Sequence, residues 1–287
     1  MLALVPDILR QARAAYDGRM LLMKGVEVAA LYPDPLLRPF ADMDLLVDDA
    51  ERAQQALLDA GFEEVNDPEL FVGIHHRRQL AWRGAEPVVE LHSRPKWPDG
   101  MEAPPVAEIF GAAVPSSQGL EGLLAPRADH HALLVAAHMW AHEPLLRVGQ
   151  LLDVALLATG DRPTLAALAR RWNVEHIWTS TIRTADSLFH GGSGTVAERL
   201  WARNLRDVRD RTVLEGHLTR WLAPFWARPP AEALAEVGSV AWDEVRPAQG
   251  EGWGAKARRT SRAARNAFAR RSVHDRELGP EARLRRR

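Results

Sequence analysis

Two aspartates, Asp42 and Asp44, stand two residues apart in the segment Asp-Met-Asp-Leu-Leu-Val at 42–47. In an extended strand, residues two apart project from the same face, so the two carboxylates point the same way. Carboxylates this close repel each other unless a cation lies between them, and sites built from oxygen ligands favour Mg²⁺ or Mn²⁺. Glu90 lies in a second apolar run with strand character and supplies a third carboxylate. The pattern therefore predicts a two-metal site made of Asp42, Asp44 and Glu90.

Asp-x-Asp pairs are also common where no metal binds, in loops and at solvated strand edges. The surrounding elements therefore decide whether these carboxylates form a site. In chain order, the sequence predicts helix 4–16, strand 19–24, helix 26–32, strand 41–47, helix 50–60, and strands 62–65, 74–82 and 87–92. Gly25 ends the first strand, prolines between 33 and 39 make the next connection irregular, and Asp48 or Asp49 caps the helix at 50–60.

Beyond residue 95 the pattern changes from strands to helices. Prolines and glycines mark a loop-rich connection up to about residue 127. Leu, Ala, Arg and Trp then dominate, with few β-branched residues, which favours helices at 129–142, 145–159, 164–171, 174–190, 195–209 and 211–226.

Short motifs along the first hundred residues resemble the uncharacterised nucleotidyltransferase family of bacteria, part of the polymerase-β-like nucleotidyltransferase superfamily. The superfamily pattern is a strand ending at a glycine, a short helix, an Asp-x-Asp strand and a later strand with a third acid. The matching motifs follow that order: Lys24-Gly25, Tyr32-Pro33, Arg38, Asp42-Met-Asp-Leu-Leu-Val47, His75-His76 and Glu90-Leu91-His92. A looser similarity in the helical half rests on His138, His142, Arg147 and Asp153.

The resemblance implies an α+β fold, in which a small mixed-sheet nucleotidyltransferase core with helices is followed by a mostly α-helical C-terminal domain and a basic tail. The expected domains are a nucleotidyltransferase-like α/β domain at 1–115, a helical domain at 116–248 and a basic tail at 249–287 that is either helical or disordered. It also implies an enzyme that uses Mg²⁺ or Mn²⁺ to move a nucleotidyl group from a nucleoside triphosphate to a hydroxyl or phosphate acceptor. The expected acceptor belongs to one of four classes. It is a small molecule (for example a natural product), a peptide, a protein or an RNA end.

The resemblance also gives the motif residues expected roles. Asp42 and Asp44 bind both metal ions, while Glu90 binds the ion that activates the acceptor and helps take the acceptor proton. The residues expected to contact the nucleotide are Lys24, Gly25, Arg38 and His92. The chain departs from the superfamily pattern where Val26 follows Gly25, because a second glycine or a serine is usual there. Lys24 or Arg38 is expected to supply the phosphate contact instead.

The helical half contains polar residues for which packing is the simpler explanation. His138 and His142 are four residues apart and share a helix face, and we expect them to pack. Asp153 lies in an apolar segment and needs a partner if it is buried. Arg147 or one of the two histidines is the expected partner, in a contact that ties two helices together. The alternative is that Asp153 forms a wall of the active site.

Composition excludes some classes of protein. The chain has no cysteine, which rules out disulfides, thiolate metal sites and a cysteine nucleophile, and this fits an expected cytoplasmic location. No stretch approaches the roughly 18 apolar residues of a membrane span. The formal net charge is −1, but residues 250–287 contain 12 Lys/Arg against 4 Asp/Glu. This basic tail is either a solvated end without a defined partner or a contact for an acidic partner.

Three other functions stay open. The first is a catalytically inactive module that keeps the fold and uses the site for nucleotide binding or regulation. The second is a transferase that takes its group from another activated donor, such as a sugar nucleotide. The third is the toxin of a toxin–antitoxin pair.

Overall fold

Seven strands form one mixed sheet in a computed structural model, which describes residues 2–65, 78–98, 100–192, 194–247 and 252–265. The strands are β1 (Met20–Leu22), β2 (Asp42–Val47), β3 (Phe62–Glu64), β4 (Leu80–Trp82), β5 (Ala85–His92), β6 (Val114–Pro115) and β7 (Leu123–Ala125). Their order across the sheet is β3-β4-β5-β2-β1-β7-β6. The pairs β2–β5 and β1–β7 are parallel, and the other neighbours are antiparallel. The Asp-x-Asp strand β2 therefore lies at the centre of the sheet.

Helices dominate the chain after residue 127, as its composition predicts. The helices are α1 (Val5–Ala15), α2 (Val26–Ala29), α3 (Ala50–Asp59), α4 (Val106–Gly111), α5 (Ala128–His142), α6 (Val148–Leu157), α7 (Arg162–Arg171), α8 (Glu175–His190), α9 (Arg203–Arg206), α10 (Val213–Leu222), α11 (Pro224–Ala227), α12 (Pro230–Val245) and α13 (Trp253–Arg265). Within the described ranges, every helix is too short or too polar to cross a membrane. The predicted α+β fold class is confirmed.

The alternation of residues along β2 separates an apolar face of the sheet from a polar one. Met43, Leu45 and Val47 are fully buried and belong to the main apolar core, together with residues of α1 and α3. Asp42 and Asp44 alternate with them and project from the other face. Burial of a side chain of this size contributes about 1.5–3 kcal/mol, so the register of β2 is strongly fixed.

Local signals set the ends of α3, which follows the Asp-x-Asp strand. Asp49 is the N-cap, because its carboxylate accepts hydrogen bonds from the backbone N–H groups of Glu51 and Arg52. Asp48, the other predicted cap, instead accepts a hydrogen bond from the Tyr16 hydroxyl. Gly61 ends the helix region with a φ of 92°. These contacts fix the chain on the C-terminal side of β2.

Several elements of the structure are missing from the sequence prediction. The stretch predicted as a loop-rich connection contains α4 and the β6–β7 hairpin, and β7 pairs in parallel with β1. β6 and β7 have two and three residues, which is too short to show an alternation within a stretch rich in proline and glycine. Helix α12 lies beyond the last predicted helix. The predicted helix 195–209 contains a π-helical segment at Glu198–Ala202 before α9.

Contacts divide the chain into two compact units, 1–141 with 149–182 and 142–148 with 183–287. The residues of the candidate site all belong to the first unit. The predicted domain boundaries at residues 115 and 248 stay predictions. The adjacent histidines 75 and 76, and residues 266–287 of the basic tail, lie outside the described residues.

Candidate functional site

The parallel pairing of β2 and β5 brings the predicted acidic residues together. In this register Asp44 lies directly opposite Glu90, Asp42 opposite Val88, and Leu46 opposite His92. Directly paired residues on neighbouring strands project from the same face of a sheet. The side chains of Asp44 and Glu90 therefore share a face with Asp42, and the predicted convergence of the acids has a structural basis in this strand pair.

Asp44 is the most deeply buried acid of the group, with 1% of its surface exposed. Its Oδ1 lies 2.9 Å from Nε2 of His92, and the same nitrogen lies 3.6 Å from Oε2 of Glu90. Glu90 also accepts a hydrogen bond from the Gln79 amide. The imidazole of His92 thus lies between the two carboxylates that the paired strands present.

Lys24 follows β1 and supplies a positive charge to this cluster. Its Nζ lies 2.9 Å from Oδ2 of Asp44 and 3.0 Å from Nε2 of His138. The sequence predicts a packing role for His138, but the structure puts its ring against the ammonium group. The two residues are 114 positions apart, so no local pattern predicts this contact. The sequence signal at His138 was its part in the looser similarity to the family.

The charges of the cluster shift the pKa values of its members in opposite directions. Burial, and then the charge of Asp44, raise the pKa of Asp42 to about 6. Burial also acts to raise the pKa of Asp44, but the Lys24 ammonium and the hydrogen bond from His92 hold it well below its usual range. Burial lowers the pKa of His92, yet its hydrogen bonds to Asp44 and Glu90 outweigh this and raise it. Asp44 is therefore ionised at neutral pH and is balanced by nearby cationic groups.

Gly25 forms a tight turn against β2. Its φ is 67°, and a Cβ built at this position would lie 2.9 Å from the carbonyl oxygen of Asp42. Real Cβ atoms do not approach a backbone oxygen so closely, and positive φ is costly for residues with a side chain. Glycine at this position allows the chain after Lys24 to pass close to the Asp-x-Asp strand.

Arg38 stabilises this turn from the proline-rich loop. Its Nη1 donates a hydrogen bond to the Gly25 carbonyl at 3.1 Å, while Nε and Nη2 donate to the two carboxylate oxygens of Asp153 at 2.8 and 2.9 Å. The Tyr32 hydroxyl donates to the same carboxylate at 2.7 Å. The prediction that Arg147 or a histidine partners Asp153 is wrong, because α6 turns Asp153 toward the loop at 33–39.

The side chains of this cluster fit a divalent cation. Asp44, Glu90 and His92 each offer one ligand atom, and these three atoms lie within 4.8 Å of one another. Among the described residues, Asp42 is not part of that set, although it shares the face. Oδ2 of Asp44 is buried without an aligned hydrogen-bond donor in the described structure, even though the Lys24 ammonium lies nearby. A buried carboxylate oxygen of this kind is suited to a cation.

A comparison with known protein families agrees with these motifs. A family described as "Uncharacterised nucleotidyltransferase" matches residues 4–190, which is more than half of the 287 residues. The match includes β2, β5 and the helices that carry His138 and Asp153. No curated protein matches the chain. The predicted resemblance and the predicted enzyme class are confirmed, and the chain belongs to the uncharacterised nucleotidyltransferase family.

Proposed function

We propose that this protein uses Mg²⁺ or Mn²⁺ to transfer a nucleotidyl group from a nucleoside triphosphate to a hydroxyl or phosphate acceptor. The observation that carries the proposal is the β2–β5 register, because it gives Asp44 and Glu90 a common face beside Lys24. Membership of the family supports the class of reaction. Acidic groups next to a flexible cation are what a site needs to hold metal ions and phosphates together.

In the proposed reaction, an acceptor oxygen attacks the α-phosphorus of the triphosphate. A P–O bond forms to the acceptor, the bond between the α-phosphorus and the bridging oxygen of the β-phosphate breaks, and pyrophosphate leaves with that electron pair. When the acceptor is a hydroxyl, its proton passes to a carboxylate oxygen of Glu90. Divalent ions, when bound, neutralise phosphate charge and activate the acceptor oxygen.

The chain contributes ligands and phosphate contacts to this reaction. Asp42, Asp44 and Glu90 are the proposed metal ligands. Lys24 is proposed to turn its ammonium group from Asp44 to the triphosphate, since its side chain is flexible and carries three N–H donors. Gly25 lets the backbone approach the phosphates.

Two further residues are proposed to contact the nucleotide. The Nη1 of Arg38 donates a hydrogen bond to the Gly25 carbonyl and does not bind Asp153, so this nitrogen lies next to the turn at Gly25. His92 lies between Asp44 and Glu90 in the same acidic cluster. Both positions are close to the region where the triphosphate is proposed to bind.

Transfer of label from α-³²P nucleotides tests the proposal. The purified full chain is incubated with each of the four nucleoside triphosphates, with Mg²⁺ or Mn²⁺, and with pooled small molecules, peptides, proteins or RNA. The expected result is labelled acceptor together with released pyrophosphate, and a loss of at least about 100-fold in Asp44→Asn and Glu90→Gln. Asp17→Asn, which changes a carboxylate of an exposed ion pair, serves as the matched control. Full activity in Asp44→Asn would overturn the mechanism.

A nucleotide-binding module is the second candidate function. The observation in its favour is that Lys24 and His92 already balance the charge of Asp44 without a metal ion. Calorimetry with the four triphosphates, with and without Mg²⁺, separates the two functions. Nucleotide binding without pyrophosphate release across all acceptor pools supports the binding module. Sugar nucleotides labelled in the sugar, with the same acceptor pools, test the alternative donor, because sugar transfer labels the acceptor and releases a nucleoside diphosphate.

The basic tail and the cellular location also stay predictions. Helix α13 carries the described part of the tail, including Lys256, Arg258 and Arg265. An acidic partner, such as an RNA acceptor, is proposed to contact this helix through its positive charge. A cytoplasmic location is proposed from the absence of cysteine in the sequence.

A further inference from the structure

We infer that His92 is itself a metal ligand beside Asp44 and Glu90, and that this mixed site selects Mn²⁺ over Mg²⁺. The family resemblance predicted that His92 contacts the nucleotide and that only carboxylate oxygens bind the metal ions. The inference deepens the proposed function, because it names the ion and an additional ligand of the same site. The inference rests on the proposed function only where it gives the ion a role in nucleotidyl transfer. Metal binding itself is measured without nucleotide.

The spacing of the three side chains is that of ligands to one ion. Nε2 of His92 lies 2.9 Å from Oδ1 of Asp44 and 3.6 Å from Oε2 of Glu90. Atoms that bind one ion through bonds of about 2.0–2.2 Å lie roughly 3–4 Å from each other. A single nitrogen therefore faces both carboxylates at ligand spacing, and a divalent ion could lie between the three atoms.

An independent observation comes from the second oxygen of Asp44. Oδ2 is buried, and none of the described residues aligns a hydrogen-bond donor on it. Its nearest positive charge is the Lys24 ammonium at 2.9 Å. This buried oxygen therefore already lies against a positive charge, and its position is suited to a cation. The Lys24 ammonium acts as an internal substitute for that cation.

The donor types decide which ion the site prefers. Mg²⁺ is a small, hard ion that takes oxygen ligands and keeps several of its waters. An imidazole nitrogen is better suited to first-row transition ions, and Mn²⁺ accepts it together with carboxylates. An imidazole ligand beside the carboxylates therefore favours Mn²⁺, whereas a site made of carboxylates alone has less reason to discriminate between the two ions.

Electron paramagnetic resonance of Mn²⁺ tests the inference on the nucleotide-free full chain. The free Mn²⁺ signal gives the Mn²⁺ affinity, competition gives the Mg²⁺ affinity, and pulsed measurements detect nitrogen bound to Mn²⁺. We expect a ¹⁴N coupling in the wild-type protein and an affinity for Mn²⁺ at least about 10-fold above that for Mg²⁺. His92→Gln should abolish the coupling and lower Mn²⁺ affinity about 10-fold, with a smaller effect on Mg²⁺.

His130→Gln is the matched control, because His130 is buried on α5 and packs against Trp172, and it should change neither affinity. Bound Mn²⁺ without a ¹⁴N coupling in the wild-type protein would overturn the inference, even if His92→Gln does not fold. An unchanged Mn²⁺/Mg²⁺ ratio in folded His92→Gln would also overturn it. A protein that shows the coupling but transfers no nucleotidyl group contradicts the proposed function and leaves this inference standing.

Discussion

Lys24 Nζ and Asp44 Oδ2 form an ion pair at 2.9 Å, in which the carboxylate side chain is 2% exposed. A metal ion that binds Asp44 has to compete with this ammonium for the same oxygen. The ion pair also protects the fold, because a buried carboxylate without a counter-charge is strongly destabilising. Lys24 therefore links the proposed metal binding at Asp44 to the stability of the metal-free protein.

Lys24→Met should destabilise the metal-free protein by about 3 kcal/mol, because it removes the ammonium partner of the buried Asp44 carboxylate and leaves His92 beside it. Mn²⁺ should then restore part of this loss, since it supplies the missing positive charge and binds only the folded state. Thermal unfolding with and without Mn²⁺ measures both effects. The Mn²⁺-induced rise in Tm should be larger in Lys24→Met than in the wild-type protein.

Arg10→Met is the control for this prediction, because it removes a cation from the exposed pair with Asp7. Its stability should change by less than about 1 kcal/mol, and its response to Mn²⁺ should match that of the wild type. Equal Mn²⁺-induced shifts in Lys24→Met and the wild type would show that Lys24 and the metal ion do not share Asp44.

Gly25→Ala should be more costly than the same change at Gly84. Both glycines have a φ near +67°, but a Cβ at Gly25 meets the Asp42 carbonyl oxygen at 2.9 Å, whereas a Cβ at Gly84 meets nothing within 4 Å. Backbone strain of about 1 kcal/mol is common to both, and the clash at Gly25 should add about 1–3 kcal/mol. Urea unfolding measures the difference, and equal losses would contradict the close approach to β2.

Asp153→Asn should lower the free energy of unfolding by about 3 kcal/mol, because it leaves the largely buried Arg38 guanidinium without its counter-charge. The exposed control Asp17→Asn breaks a pair with Arg52 and should cost less than about 1 kcal/mol. Double replacement by Arg38→Met and Asp153→Leu should recover part of the loss. A fully stable Asp153→Asn protein would mean that this pair does not hold the Gly25 turn.

Stability should fall as pH drops from 6.5 to about 4 because of His131. Burial lowers the pKa of His131 from 6.5 to about 4 in the folded protein, even though the Met23 carbonyl accepts a hydrogen bond from its ring. Above pH 6.5 the ring is neutral in both states and has no effect. Between these pH values only the unfolded chain binds the proton, which favours unfolding by up to about 3 kcal/mol.

Comparison of the wild type with His131→Gln isolates this contribution from that of the other titrating groups. Unfolding in urea at several pH values should give a steeper loss for the wild type between pH 6.5 and 4. Parallel curves for the two proteins would show that His131 is not held neutral by burial.

The sequence predicted the parts of the site that depend on local patterns. The alternation of residues in β2, the glycine after Lys24 and the acid of β5 are all visible within a few residues, and they also carry the family resemblance. The family resemblance implied that the acids of the two strands form one site. The exact register, with Asp44 opposite Glu90, depends on packing of the apolar face and is seen only in the structure.

The contacts that the sequence did not predict join residues more than 100 positions apart. Lys24 contacts His138, and Arg38 contacts Asp153. Periodicity in the sequence carries no information about contacts between residues so far apart along the chain. The short strands β6 and β7 were missed for a related reason, because pairing rather than local propensity makes them strands. β7 pairs with the distant β1, and β6 pairs with β7.

The measurement that tests the central claim most directly is a crystal structure with Mn²⁺ and a non-hydrolysable nucleoside triphosphate analogue, using anomalous scattering to locate Mn²⁺. We predict an anomalous peak in contact with carboxylate oxygens of both Asp44 and Glu90, with Lys24 turned from Asp44 to the phosphates. A structure with bound nucleotide in which Lys24 still pairs with Asp44, and no Mn²⁺ lies between Asp44 and Glu90, would contradict the account.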